Sequence, residues 1–439
     1  MLSSRTSNPP LASPKLVAVA ILLAAASPAL ATDWPQWRGP DRDSISKETG
    51  LLRAWPAGGP ALAWKARGIG SGYSGVSVAA GRIYTMGDGA DASYLHALDE
   101  KSGKVLWSTK VGETGGESSN KYPGTRCTPT VDGARVYTLG QWGELVCAET
   151  ATGKIVWRRN LAKDFKGRMM SVWGYSESPL IDGEMLLCCP GGTDGTMVAL
   201  NKLTGAVIWR TKDWTDKASY SSVVVATIGG VRQYVQIADA TEGGRGRDAP
   251  TLNHVAGVRT TDGKVLWKAS RSGRTAVIPT PIVDGNLVYV TSGYGAGCNL
   301  FRIDAAGGQF TATEVYANKA MTNHHGGVVK IGENLVGFND GGGWTWQNFK
   351  TGEVAFKAEM TKLGKGSITA ADGMLYLRLE SRAGTVVLLD GATVGWNEKG
   401  RFDPPDRSDK NSWPHPVIAN GRLYLRDQDV LLAYDVRKS

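Results

Sequence analysis

GKVLW at residues 103–107 returns as GKIVW at 153–157, GAVIW at 205–209 and GKVLW at 263–267. The four tryptophans stand 50, 52 and 58 residues apart. A unit of that length is too small to bury its own apolar face and must stack on its neighbours, so the chain reads as a repeat architecture.

A second phrase alternates with the first: an apolar run, a glycine turn and another apolar run, as in SVAAGRIYTM, TVDGARVYTL and IVDGNLVYVT. Its turn glycines are Gly81, Gly133, Gly183, Gly230, Gly285, Gly332, Gly373 and Gly421. Glycine accepts the positive φ that two-residue turns demand, so eight such phrases predict eight hairpins. The GKVLW phrase supplies a second tight turn and a last strand, which makes four short antiparallel strands per unit. The predicted fold is all-β, an eight-bladed β-propeller of four-stranded antiparallel blades.

The last unit has a hairpin at 416–426 and a third strand at 430–436, but no fourth. Ala61, Leu62, Ala63 and Trp64 repeat the apolar ending without three strands before them. An N-terminal strand closing the ring would join these two fragments and remove an open sheet edge. The expected organisation is a signal peptide over 1–31, an extended N-terminal arm over 32–60 lying across the ring, and the propeller over 61–439. The arm, with Trp34, Trp37 and Trp55, is also open to docking a partner.

Arg5 and Lys15 precede an apolar run at 16–26, followed by Pro28 and Ala29-Leu30-Ala31. That order predicts a leader cleaved after Ala31, and the run is too short to span a bilayer. The protein is expected to be exported to the periplasm or the exterior, without membrane insertion and as a monomer. The formal charge of +9 is scattered along the chain, so no nucleic-acid partner is expected. Cys127, Cys147 and Cys298 read as small buried groups in strands. The adjacent Cys188 and Cys189 read as inner-strand cysteines on opposite faces, with a strained vicinal disulfide as the alternative. Zinc spacing, a complete calcium loop at Asp88 and Asp91, a P-loop, a serine-nucleophile motif and a haem-attachment motif are all missing. No metal is assigned.

Ala97, Asp99, Ser102, Gly103, Lys104 and Trp107 resemble the A-x-D-x-x-T-G-K-x-x-W motif of the pyrrolo-quinoline quinone (PQQ) repeat. That repeat builds eight-bladed quinoprotein alcohol dehydrogenases and also the β-propeller lipoprotein of outer-membrane barrel assembly. Degenerate copies follow at Glu149 to Trp157, Ala199 to Trp209, Gly263 to Trp267 and Asn348 to Phe356. The stretches DWPQWRGPDRDSISKETGLL (33–52), WGYSESPL (173–180) and NHHGG (323–327) resemble exported quinoprotein-like propellers. The resemblance implies the fold more firmly than any reaction.

Trp64, Trp107, Trp157, Trp209 and Trp267 are expected to dock each blade on the next. Strand order places the tight turns on one face and the longer connections, 111–126, 161–177, 238–254, 317–325 and 399–413, on the other. A binding site belongs on that loop-rich face. Tyr73, Arg126, Tyr175, Glu177, Arg274, His324, His325 and Lys365 precede innermost strands and are the candidates for holding a small polar or anionic ligand. Each has an alternative role in ordering its own loop or in a charge pair at the channel rim.

Two functions remain. One is an exported binding or interaction scaffold for a small ligand or a protein partner, with no cofactor assigned. The other, implied by the resemblance, is a periplasmic PQQ-dependent alcohol dehydrogenase-like oxidoreductase with calcium. Against it stand the position of Cys188 and Cys189 within a strand and the shortness of the loops that would roof a quinone.

Overall fold

The structure, a computed structural model, describes residues 1, 32–114, 122, 124–240, 251–273, 276–358 and 364–438. The expected leader and Arg274 lie outside these residues, apart from Met1. Eight antiparallel sheets follow one another along the chain, at 77–112, 130–160, 180–210, 224–272, 282–318, 328–357, 366–402 and 417–435. We number them blades 1 to 8. Blades 1 to 7 use four strands consecutive in sequence, and the first strands of neighbouring blades approach one another, which puts them around the axis. The single helix among the described residues is one turn, Leu161–Asp164. No helix among them is long and apolar enough to cross a membrane.

Blade 8 is completed from the other end of the chain. Ala61–Ala66 runs antiparallel to Val430–Asp435, with Ala61 opposite Asp435 and Ala66 opposite Leu431. Residues 417–435 therefore gain their fourth strand, and the sheet edge they would have left open is paired. The eight hairpin glycines read from sequence all have positive φ, between 54° and 76°.

The tryptophans hold the blades together through a repeated contact. Trp64 lies on Gly103 of blade 1, Trp107 on Gly153 of blade 2, Trp157 on Gly205 of blade 3 and Trp209 on Gly263 of blade 4. A Cβ at Gly103 would come within 2.5 Å of the Trp64 ring, so both the left-handed backbone and the close approach require glycine there. Each of these indole N–H groups also donates to a main-chain carbonyl of the next blade, at Glu100, Thr150, Lys202 and Thr260. Trp267 departs from the pattern. It packs in the core shared by blades 4 and 5, but its N–H donates to Gln233 Oε1 of its own blade. Blade 5 ends its third strand in AAGGQF and lacks the docking turn. At the next junction Tyr316 takes the tryptophan's place, lying on Gly352 with its hydroxyl donating to the Phe349 carbonyl.

The residues after Thr32 do not lie across a face of the ring. They enter the axial channel and touch every blade. Trp34 bridges Val78, the Val131 N–H donates to the Pro35 carbonyl, and Ile45–Ser46 pairs in parallel with Ala370 and Ala371. Arg42 donates to the carbonyls of Ser178, Pro179 and Val223, and Arg38 donates to that of Val328. Trp37 reaches Thr280, and Glu48 accepts the N–H groups of Asn420 and Gly421 in a hairpin turn of blade 8. Because Glu48 and Asp33 both meet tight turns, the segment enters and leaves by the tight-turn face. Arg38, Arg42 and Ser44 adopt positive φ to make the reversal inside the channel.

Trp209→Ala is expected to lower the unfolding free energy by about 3–5 kcal/mol. Leu106→Ala, at an outer-strand position 46% exposed, should change it by no more than about 0.5 kcal/mol. Urea denaturation followed by circular dichroism measures both, and equal effects would remove tryptophan docking as a source of blade cohesion.

Candidate functional site

The inserted segment closes the channel from one side, so the loop-rich face holds a blind cavity of about 310 Å³. Its floor is Trp37, whose ring lies 4.7 Å from that of His415. The wall is a collar of rings brought from separate loops. Trp173 meets Tyr122 at 5.6 Å, Tyr122 meets Trp413 at 5.0 Å, and Trp413 meets His325 at 5.5 Å. His325 then meets His324 at 5.0 Å, and His324 meets Tyr294 at 4.9 Å. Tyr73 backs Trp413 at 4.4 Å.

Two cations stand in this collar. Arg126 lies 5.9 Å from the centre of the Tyr73 ring and donates to the carbonyls of Trp173 and Tyr122, which tie the two loops together. Burial lowers its pKa, against Tyr220, Tyr73 and Asp88, which raise it. Lys365 Nζ donates to His324 Nδ1 at 2.9 Å and lies 3.7 Å from Glu380 Oε2. With Nδ1 accepting, the neutral His324 ring carries its proton on Nε2. Burial, then the neighbouring Lys365, holds its pKa down at about 4. Burial acts in the same direction on His325, followed by His324, Lys365 and His415, and takes its pKa well below the ordinary value. Both histidines are uncharged at neutral pH. Glu380 sits behind the wall, accepting from Trp413 Nε1 at 2.7 Å, and burial raises its pKa. Among the described residues the lining itself contains no Asp or Glu.

Of the candidates read from sequence, Tyr73, Arg126, His324, His325 and Lys365 line the cavity together. Tyr175 and Glu177 do not line it. Tyr175 is buried in the core of blades 1 to 3, with its hydroxyl donating to the Pro190 carbonyl. Glu177 is buried beside the Cys189 N–H, which donates to Oε1, and within reach of the Arg42 charge. Trp37, Tyr122, Trp173, Tyr220, Tyr294 and Trp413 also line the cavity and are additional to the sequence reading. Tyr220 and Trp413 stand four residues before an innermost strand, as Tyr73 and Arg126 do, whereas Trp37, Tyr122, Trp173 and Tyr294 carried no positional signal.

The residues present do not fit a quinone held with calcium. Among those described, no three His, Cys, Asp or Glu side chains group as a cation site. Cys188 ends its strand, whereas Cys189 follows it rather than lying within it, and the two free thiols pack in two different cores. Cys127 precedes its blade's first strand rather than lying within it, while Cys147 and Cys298 lie in strands.

The sequence profile of the PQQ_2 family, described as "Outer membrane protein assembly factor BamB", matches residues 48–141 and 91–358. The chain belongs to this family. BamB of Aliivibrio fischeri is 31% identical over 86 residues, a match covering 19% of this chain and 21% of that relative. Only about a fifth of the relative's length is therefore matched. BamB from Moraxella catarrhalis superposes with a TM-score of 0.52 at 13% identity, covering 81% of this chain and 94% of that one. Quinohemoprotein alcohol dehydrogenase from Comamonas testosteroni superposes with a TM-score of 0.58 at 12% identity, covering 93% and 81%. At such identities the likeness is one of fold.

Glu177 provides a pH test of the channel. Burial pushes its pKa up to about 7, against the Cys189 N–H and Arg42, which lower it. A carboxyl with a folded pKa above its unfolded value, roughly 4.3, binds its proton more tightly when folded. Its contribution is therefore greatest below the unfolded pKa, declines as pH rises toward 7 and then levels off. The expected decline is on the order of 3 kcal/mol. Glu177→Gln should flatten that part of the stability profile, read as melting temperature from pH 4 to pH 8. Parallel profiles for the two proteins would contradict the assignment.

Proposed function

We propose that this protein is an exported binding scaffold that holds a small anionic or polar ligand in the aromatic collar of its loop-rich face. The observation carrying the reading is a blind, ring-lined cavity containing Arg126 and Lys365 and, among the described residues, no lining carboxylate. In a partly desolvated site, cations attract a ligand of opposite charge more strongly than in water. The arginine offers a planar fork suited to a carboxylate or phosphate. The basic and apolar order of the first 31 residues supports export.

A second reading is a protein partner on the same face. Membership of a family described by an outer-membrane assembly factor favours it, as does the clustering of long loops on one side of a rigid ring. A quinone-dependent dehydrogenase has the fold in its favour. Its cation and disulfide requirements are unsupported by the donor set among the described residues.

Tryptophan fluorescence during titration with a panel of small carboxylates tests the first reading. Saturable changes are expected in the native protein, weakened about tenfold or more, or ~1.4 kcal/mol, in Arg126→Gln and in Lys365→Met. Lys101→Gln, on the tight-turn face, should bind as the native protein does. No saturation with any acid would reject the small-anion reading and leave the protein partner.

A further inference from the structure

The shape of the collar narrows the ligand class, an inference that rests on the cavity being a ligand site. A flat aromatic acid is held best between parallel plates, because offset stacking requires ring faces that lie parallel to the guest. The collar has no such pair among its ring contacts. Successive rings are tilted by 65°, 32°, 51°, 70° and 64° from Trp173 round to Tyr294. The touching rings therefore turn along the wall, which curves round the cavity.

The polar lining points the same way. The lining also carries uncharged groups able both to donate and to accept hydrogen bonds, at Ser176, Ser222, Tyr294 and Asn411. A flat aromatic body offers such groups little around its edge. A puckered ring carrying several hydroxyls offers C–H faces to the indoles and partners to the hydroxyl and amide groups. Arg126 adds one planar cationic fork at the base of Trp173 and Tyr122, where a single carboxylate can be recognised.

We propose that the cavity binds an acidic sugar, a uronic acid whose ring packs on Trp413 and Trp173 and whose carboxylate faces Arg126. This chemistry is shared by a free uronate and by the end residue of an acidic glycan.

Calorimetric titration of the full chain with galacturonate, galactose, benzoate and trigalacturonate tests it. Galacturonate is expected to bind at least about tenfold more tightly than both galactose and benzoate. Arg126→Gln should bring galacturonate down to the level of galactose, and Arg126→Lys should restore part of the difference. Trp413→Phe should weaken galacturonate and galactose alike. Tighter binding of trigalacturonate than of galacturonate identifies a glycan end, and equal binding identifies the free acid; either supports the proposal.

Benzoate binding without galacturonate binding would overturn the sugar class while leaving an anion site in place. Equal binding of galactose and galacturonate would overturn the role of the carboxylate. Binding of neither acid to protein with a native circular dichroism spectrum would overturn the ligand-site reading itself. Loss of binding in Arg126→Gln counts only if its melting temperature stays near the native value, because Arg126 also joins two loops; Lys365→Met supplies a cation change without that tie.

Discussion

Eight strands round an axis present main-chain carbonyls to a channel too narrow for bulk solvent, and those carbonyls must find donors. Arg42 and Arg38 supply them. Their guanidinium groups spread over blades 3, 4 and 6, while the backbone beside them pairs with blades 1, 2 and 7. Both side chains are almost completely buried, and burial lowers their pKa to about 10, which leaves them cationic at neutral pH. A buried cation with several hydrogen bonds is costly to disturb because removing any partner strands the rest. The inserted segment therefore fixes the blades about the axis, and everything on the loop-rich face is built on that fixed ring.

The same insertion turns a passage into a cup. Trp37 is both the tip of the inserted segment and the floor of the cavity, joined to Thr280 through its N–H and to His415 through its ring. The collar above it draws one or two rings from each of several loops, and ring-to-ring contact across blades holds those loops in place without secondary structure. Arg126 serves both levels, since two of its donors tie loop carbonyls while the remaining guanidinium surface faces the cavity. One side chain thus ties two loops and lines the cavity.

The ring, its closing strand and four of the five tryptophan contacts were legible in the sequence because each rests on a short local pattern. Gly81 and Gly133 mark turns by their backbone freedom, and Trp107 stands at a fixed distance after Gly103. Trp267 kept the phrase, but its indole N–H turned to its own blade, because the partner turn in blade 5 has a different sequence. The collar was only half legible. Tyr73, Arg126 and Lys365 sit at a position that topology defines, just before an innermost strand. Trp413 shares that position, four residues before Val417, but Tyr122, Trp173 and Tyr294 sit elsewhere in loops without periodicity, and only the assembled ring shows that they converge. Glu177 occupies a topologically similar position to Arg126, yet its side chain turns toward Arg42 and the Cys189 N–H. The insertion of residues 33–48 was hidden for the same reason: DWPQWRGPDRD has the composition of an extended loop, and nothing local says which cavity it fills.

The pairing of Ala61–Ala66 with Val430–Asp435 has a kinetic consequence. Gly68 and Asp429, hydrogen-bonded at this seam, are separated by 361 residues, so the joint waits for nearly the whole polypeptide to emerge from the ribosome. Contacts of such span are slow to nucleate because loop-closure entropy is spent before they form. Closure of the ring is therefore a late step of folding, and until it happens the strands it joins stay unpaired at this seam.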